Sequence, residues 1–112
     1  MQIVDDVLLA ALREVVKSEA PREAVGLLTA DRRIIMLPNR ASDPGKNFAV
    51  HKEDILSALR REEIEDVADL TLWHSHPNGG VGPSRVDIQQ RLPFFNHLVV
   101  TLVPDDIVLT WY

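Results

Sequence analysis

Two histidines and an aspartate form the part of the sequence that could do chemistry. His74 and His76 stand two positions apart and Pro77 follows them directly. Because side chains alternate between the two faces of an extended strand, both imidazoles would point to the same side. The loop 78–83 contains three glycines, which tolerate positive φ, so the chain can turn back with Ser84 and Asp87. The segment therefore predicts a metal site with two nitrogen ligands and one carboxylate oxygen.

This ligand set suits Zn²⁺. Three protein ligands leave a fourth tetrahedral position open, as in catalytic zinc sites, whereas structural sites usually take all four ligands from the protein. The chain has no cysteine, which excludes a thiolate site and the paired-cysteine signature of the zinc deaminases. No HExxH motif occurs either. A catalytic centre would also need a general base, and a carboxylate from elsewhere in the chain would serve.

Simpler interpretations exist for each part of this pattern. The run from Ser84 to Asp87, taken alone, is typical of a capping box that opens a helix. A capping box is compatible with a metal site. A single histidine before a proline is usually structural, and a glutamate such as Glu23 near a helix end is usually a solvated charge.

The segment HSHPNGGVGPSRVD resembles the JAMM motif of the MPN-plus metalloproteases. This family contains metal-dependent deubiquitinating isopeptidases and small prokaryotic relatives. Its members also have an upstream glutamate in an E-x-x-G-hydrophobic-hydrophobic setting, to which residues 23–28, EAVGLL, are similar. Many members have cysteine where this chain has Val25, a difference that concerns packing rather than chemistry.

The resemblance implies a role for each matching residue. It makes His74, His76 and Asp87 the zinc ligands. It makes Glu23 the base that activates water, and Ser84 a hydrogen-bonding partner of the tetrahedral intermediate. The function implied is zinc-dependent hydrolysis of an amide or isopeptide bond. The substrate would be the C-terminal tail of a ubiquitin-like or sulfur-carrier protein, or a peptide.

Two alternatives stay open. One is a non-catalytic MPN-type binding or scaffold module, and the other is a phage-tail or RadC-like protein of different function. Metal content in protein purified without added zinc would discriminate the scaffold from the enzyme, because scaffold members have usually lost the ligand residues.

Helical periodicity predicts three helices. The first starts near Asp5 or Asp6 and ends before Pro21. The second, around residues 55–64, carries a charge run at 60–65 that indicates a solvated face. The third runs from Ser84 to about residue 92, before Pro93. The apolar positions of the first helix are Val4, Val7, Leu8, Ala11, Leu12, Val15 and Val16.

Short apolar runs predict the strands. Residues 25–30 and 33–37 form a hairpin that turns at 31–32, and residues 48–50 a further short strand. Residues 70–73 form a buried strand that carries the two histidines at its end, with Trp73 in the core. Residues 97–103 and 107–112 are joined by a turn at 104–106. His51 and His97 have no motif partner and are predicted to be structural.

Strands that alternate with helices, together with hairpins, predict an α/β domain with a mixed sheet. The resemblance implies the same architecture: a single-domain α-β-α sandwich with a curved sheet, similar to the cytidine deaminase fold. It covers nearly the whole chain, so we assign residues 1–112 to one JAMM/MPN-plus domain. The chain ends after its last strand, which leaves little room for a dedicated ubiquitin-binding lobe.

Composition agrees with a small enzyme. A chain of 112 residues that is 46% hydrophobic can bury one core. The start has no basic segment typical of a signal peptide, and no apolar run approaches the roughly 20 residues of a membrane span. We therefore expect no membrane partner and a cytoplasmic location. The net charge of -5 argues against a nucleic-acid partner. The oligomeric state is left open.

Overall fold

Five strands form one mixed sheet in the computed structural model, which describes residues 4–65, 67–104 and 106–112. The strand order is β2-β1-β3-β4-β5. Only the β3–β4 pair among these neighbours is parallel. The elements in chain order are α1 (Asp6–Glu19), β1 (Val25–Leu28), β2 (Ile34–Leu37), α2 (Lys52–Arg61), β3 (Thr71–His76), α3 (Arg85–Gln89), β4 (Asn96–Val103) and β5 (Asp106–Trp111).

Helix α1 covers one face of the sheet. Its N-cap residue is Asp5, whose Oδ1 accepts a hydrogen bond from the Leu8 backbone N–H at 2.9 Å, the usual N-cap arrangement. Its buried stripe is Leu8, Leu12 and Val16, which recur every four residues and pack with residues of β3 and β4. The predicted stripe was wider than this, since Val7 is 81% exposed.

Helix α2 covers the opposite face, so the sheet is buried on both sides. Ile55 and Ala58 pack with residues of β1, β2 and β3. Every residue of β1 is therefore buried, because a strand covered on both faces has no solvent side. The predicted mixed sheet between helices is confirmed. None of the helices in the described ranges has the length and apolar character needed to cross a bilayer.

One predicted strand and one predicted helix end are wrong. Residues 48–50 are not a strand, because the Ala49 backbone N–H donates to the Asn39 side chain instead of a sheet ladder. Helix α3 ends at Gln89, about three residues earlier than expected. Beyond it, the Leu92 backbone lies within 3.1 Å of His97 Nε2, which holds it outside a helix. The predicted turn at 104–106 includes residue 105, which lies outside the described residues.

Gly26, in the middle of β1, is required by the packing of Trp73. A Cβ at this position would lie 2.5 Å from the Ile35 carbonyl oxygen and 2.9 Å from the Trp73 ring. Trp73 is fully buried, as predicted. Gly26 pairs with Trp73 in the sheet, and the neighbouring Val25 pairs with His74. The glycine therefore allows the strand that carries the histidines to pair closely with β1.

We predict that Gly26→Ala destabilises the protein by roughly 1–3 kcal/mol, because the added methyl overlaps a backbone oxygen and a buried ring. Gly45→Ala is the matched control, since its Cβ would meet nothing closer than 3.8 Å. Urea denaturation of the two variants measures the difference. Equal stability of the two variants would contradict this account of Gly26.

Candidate metal centre

The two motif histidines converge at the end of the central strand. Strand β3 lies between β1 and β4. Its last three residues are His74, Ser75 and His76. Their Nε2 atoms are 3.3 Å apart. His74 is buried, whereas His76 is partly exposed. The i, i+2 spacing in an extended strand thus brings both imidazoles to one point.

Asp87 meets the same point from α3. Its Oδ2 lies 3.0 Å from His74 Nε2 and 3.2 Å from His76 Nε2. The same oxygen accepts a hydrogen bond from the Ser84 backbone N–H at 2.8 Å, and Ser84 Oγ accepts one from the Asp87 N–H at 3.1 Å. The segment is therefore a capping box whose carboxylate also faces the two histidines.

The two Nε2 atoms and Asp87 Oδ2 are arranged as metal ligands rather than as hydrogen-bonding partners of one another. Each Nε2 carries at most one proton, so hydrogen bonds cannot satisfy every contact in a triangle whose sides measure 3.0 to 3.3 Å. Ligands about 2.0–2.1 Å from a tetrahedral ion would be about 3.3–3.4 Å apart. The spacing of the donor atoms is therefore close to that of a tetrahedral site.

A contact at the rear of His76 fixes its tautomer. His76 Nδ1 lies 2.9 Å from the Gly80 carbonyl oxygen, which can only accept, so in the neutral imidazole Nδ1 holds the proton and Nε2 offers a lone pair. The Thr101 hydroxyl donates to the same carbonyl at 2.8 Å. The loop glycines thus supply an orienting acceptor, a role that the sequence did not reveal.

Glu23 is the fourth polar group at the centre. It is buried and lies two residues before the start of β1. A carboxylate oxygen of Glu23 lies within 4.8 Å of a ring nitrogen of His74 and of His76, and these two nitrogens also lie within that distance of each other. The three residues therefore form a group of possible metal ligands. This spacing allows Glu23 to act as a ligand or as a base. The base role implied by the resemblance stays a prediction.

The ionisation of the centre follows from burial and the contacts of Asp87. Burial raises the pKa of Glu23 to about 7, although nearby His76 opposes the shift. Burial lowers the pKa of His74 against an opposing hydrogen bond from Asp87. Burial of Asp87 favours its neutral form, but its hydrogen bonds with the histidines and the Ser84 N–H outweigh this and hold its pKa well below the usual range. Metal binding requires such a neutral imidazole and ionised carboxylate.

A cavity of about 360 Å³ opens onto the centre. Glu23, His76, Ser84 and Asp87 line it on one side, so every predicted site residue except the buried His74 reaches it. Phe48 lies on the loop side and its ring stacks on His74, with 4.1 Å between ring centroids. Sequence analysis missed this contact because no local pattern predicts where a long loop packs.

The two remaining histidines lie outside the centre. His51 is exposed at the N-cap of α2 and makes no capping hydrogen bond with its side chain. His97 is buried, and its Nε2 contacts the Leu92 backbone.

Comparison with known proteins assigns the family. The model for prokaryotic homologues of the JAB domain matches residues 5–111. The chain belongs to this family. The JAMM-type resemblance seen in the sequence is thereby confirmed. Protein DSY2949 from Desulfitobacterium hafniense has a solution structure that matches this chain with a TM-score of 0.76 and 22% identity. That likeness covers 99% of this chain and 82% of that one, and it supports the α/β fold.

A curated relative bears on activity. It comes from Thermus thermophilus and is named "Probable TtuB-protein conjugate cleaving protease". It is 37% identical over 93 residues, which are 78% of this chain and 63% of the relative. This JAB chain therefore spans less than two thirds of that protein.

We predict that His74→Ala abolishes tight metal binding, because one of the converging nitrogens is lost. After loading with Zn²⁺ and dialysis, the wild-type protein should retain about one equivalent by atomic absorption and the variant less than about one tenth, given a single site. His51→Ala, at an exposed histidine outside the centre, should retain the wild-type amount. Wild-type zinc content in His74→Ala would rule out this centre.

Proposed function

We propose that this protein is a zinc-dependent isopeptidase that hydrolyses an amide or isopeptide bond in a protein conjugate. The observation that carries the proposal is the convergence of His74 Nε2, His76 Nε2 and Asp87 Oδ2 within 3.3 Å, with buried Glu23 beside them. Membership of the JAB family and the name of the Thermus relative support the same reaction class.

His74, His76 and Asp87 would hold the zinc ion. When bound, zinc would supply Lewis acidity that polarises the scissile carbonyl and makes a water molecule more acidic. The chain contributes the preorganisation of these ligands. His76 is oriented by the Gly80 carbonyl, and Asp87 is held by the capping box of α3, so the ligands need little rearrangement.

Glu23 is suited to carry the proton. A carboxyl group with a pKa of about 7 can accept a proton from water and release it again near neutral pH. In the proposed reaction, water oxygen bonds to the carbonyl carbon while Glu23 takes the proton. The C–N bond then breaks, and Glu23 passes the proton to the departing amine nitrogen. Glu23 ends the cycle ionised, as it began.

Ser84 is suited to stabilise the negative oxygen that forms during this addition. Its Oγ already accepts a hydrogen bond from the Asp87 N–H, which fixes the position of the oxygen but leaves the hydroxyl proton free to donate. Ser84 also lines the cavity next to Asp87 and His76. A donor held in this way before the reaction costs no reorganisation when charge develops.

An apolar surface next to the centre supports a folded protein as the substrate. Exposed side chains including Leu56, Val67 and Phe94 surround a cavity of about 530 Å³. A third cavity shares Phe48 with the metal-centre cavity and Leu92 with the apolar one, so the three cavities are neighbours. Exposed apolar surfaces of this kind often bind proteins. We propose that the body of a ubiquitin-like or sulfur-carrier protein lies there, with its tail reaching the zinc. A cytoplasmic location suits such a substrate.

Glu23→Gln separates the base from the ligands. We expect this variant to retain zinc but to lose activity by on the order of 10²-fold or more, because the amide cannot accept the proton. Asp87→Asn should lose both zinc and activity, since a neutral amide oxygen is a poorer zinc ligand. Zinc content and cleavage of a ubiquitin-like conjugate are measured in parallel.

Three other results of this experiment would each be decisive. Loss of zinc in Glu23→Gln would make Glu23 a ligand and the site a closed, structural one. Normal turnover would assign the base to another carboxylate. A zinc-loaded wild-type protein that binds conjugates without cleaving them would favour the scaffold function.

Phe94→Asp tests the proposed docking surface. Phe94 is 91% exposed, so the change should not disturb folding, but a charge at the centre of an apolar interface should raise KM for a folded conjugate by about tenfold. KM for a short peptide carrying the same scissile bond should not change. Val7→Asp, also at an exposed apolar position but on α1, is the control. Equal effects of the two substitutions would contradict docking at this surface.

A further inference from the structure

Asn39, which follows β2, makes four hydrogen bonds with its side chain. Its Nδ2 donates to the Glu23 carbonyl oxygen at 2.9 Å and to the Asn47 carbonyl oxygen at 3.0 Å. Its Oδ1 accepts from the backbone N–H of Ala41 at 3.0 Å and of Ala49 at 3.1 Å. One side chain therefore joins both ends of the loop 40–49 to Glu23.

Asparagine combines the right chemistry with the right length at this position. An amide group offers two N–H donors and an oxygen that accepts twice, and Asn39 uses all four. Aspartate would keep the size and the acceptor but lose both donors. Glutamine would keep the chemistry but place the amide one methylene further out. This bonding pattern also explains why residues 48–50 do not form the strand that their sequence suggests.

Two groups of the candidate centre depend on this loop. The Glu23 backbone is held at both of its polar groups. Its carbonyl oxygen accepts from Asn39, and its N–H donates to the Pro44 carbonyl oxygen in the loop at 2.7 Å. Phe48 lies between two residues that are bonded to Asn39, and its ring stacks on His74 at 20°. The Glu23 backbone and the ring that covers His74 are thus both tied to Asn39 and this loop.

We propose that Asn39 is a positioning residue that holds Glu23 and Phe48 in register with His74, so that the Glu23 carboxylate faces the scissile bond. The inference rests on the proposed function for its kinetic consequences, but its structural content does not. It adds to the JAB motif a residue that lies far from it in sequence and whose own side chain makes no contact with the metal ligands in the described structure.

A second anchor of the same loop offers a control. Arg40 makes a two-point ion pair with Asp54 in the first turn of α2, at 2.8 and 2.9 Å. This pair ties the loop to α2 and does not involve Glu23. Asp54→Ala therefore releases the loop from α2 while the Asn39 bonds remain. If loop anchoring in general mattered, Asp54→Ala and Asn39 variants would behave alike.

The kinetic test is a double-mutant cycle. Asn39→Asp should lower kcat by about tenfold or more, since small misplacements of catalytic groups are costly, with KM changed less than about threefold and zinc retained. When Asn39→Asp is added to the Glu23→Gln variant, kcat should fall by less than about threefold, because the group that Asn39 positions is already disabled. Asn39→Ala, which adds no charge, should behave in the same way, and Asp54→Ala should keep kcat near wild type.

The proposal would be overturned if the loss of kcat in the double variant equalled the product of the losses in the two single variants, since Asn39 would then act independently of Glu23. A tenfold loss in Asp54→Ala would overturn it too, because the effect would then belong to the loop as a whole.

Amide hydrogen exchange tests the inference without turnover. Asn39→Ala should speed exchange of the Glu23 amide by about tenfold or more, as expected for local loosening, while amides of β3 such as Trp73 keep their protection. Unchanged exchange at Glu23 would overturn the proposal. If the wild-type protein cleaved no conjugate, the proposed function would fail and this measurement alone would decide whether Asn39 fixes Glu23.

Discussion

The contact of one carboxylate oxygen with two imidazoles is the constraint on which the rest of this structure depends. Burying polar groups such as His74, Asp87 and Glu23 beside an apolar core is costly unless each finds a partner. Asp87 Oδ2 lies against both His74 and His76 and accepts a hydrogen bond from the Ser84 N–H. The strand, the glycine loop and the short helix must therefore stay in one arrangement, which is the arrangement that a metal ion needs.

The sheet supplies the rigidity for this arrangement. Strand β3 pairs with β1 on one side and β4 on the other, and α1 and α2 bury its two faces. The close approach of Trp73 to Gly26 locks β1 against β3, and with it the position of Glu23 before β1. A chemically polar centre is thus held by the least polar part of the molecule, where side chains have little freedom to move.

The loop between β2 and α2 completes the centre from the other side. It contains no helix or strand in the described residues, yet Asn39 and Glu23 bind backbone groups of four of its residues, which are Ala41, Pro44, Asn47 and Ala49. Its Phe48 covers His74, and its neighbours line the cavity that opens onto the centre. The residues proposed to act on substrate therefore come from a strand, a helix cap and the segment before a strand, and the loop contacts them from the opposite side.

The sequence by itself determined the local features. Because the spacing of His74 and His76 fixes the face on which they lie, and because Ser84 to Asp87 has the capping pattern, the group of polar residues and its family could be recognised from the chain alone. The apolar periodicities gave both long helices and the mixed sheet. Tertiary structure decided what depends on distant contacts: that α3 is short, that 48–50 is no strand, and that Phe48 stacks on His74. The reason is that Asn39 and His97 bind backbone groups that local patterns assign to a strand or a helix, and no local pattern records such a competition.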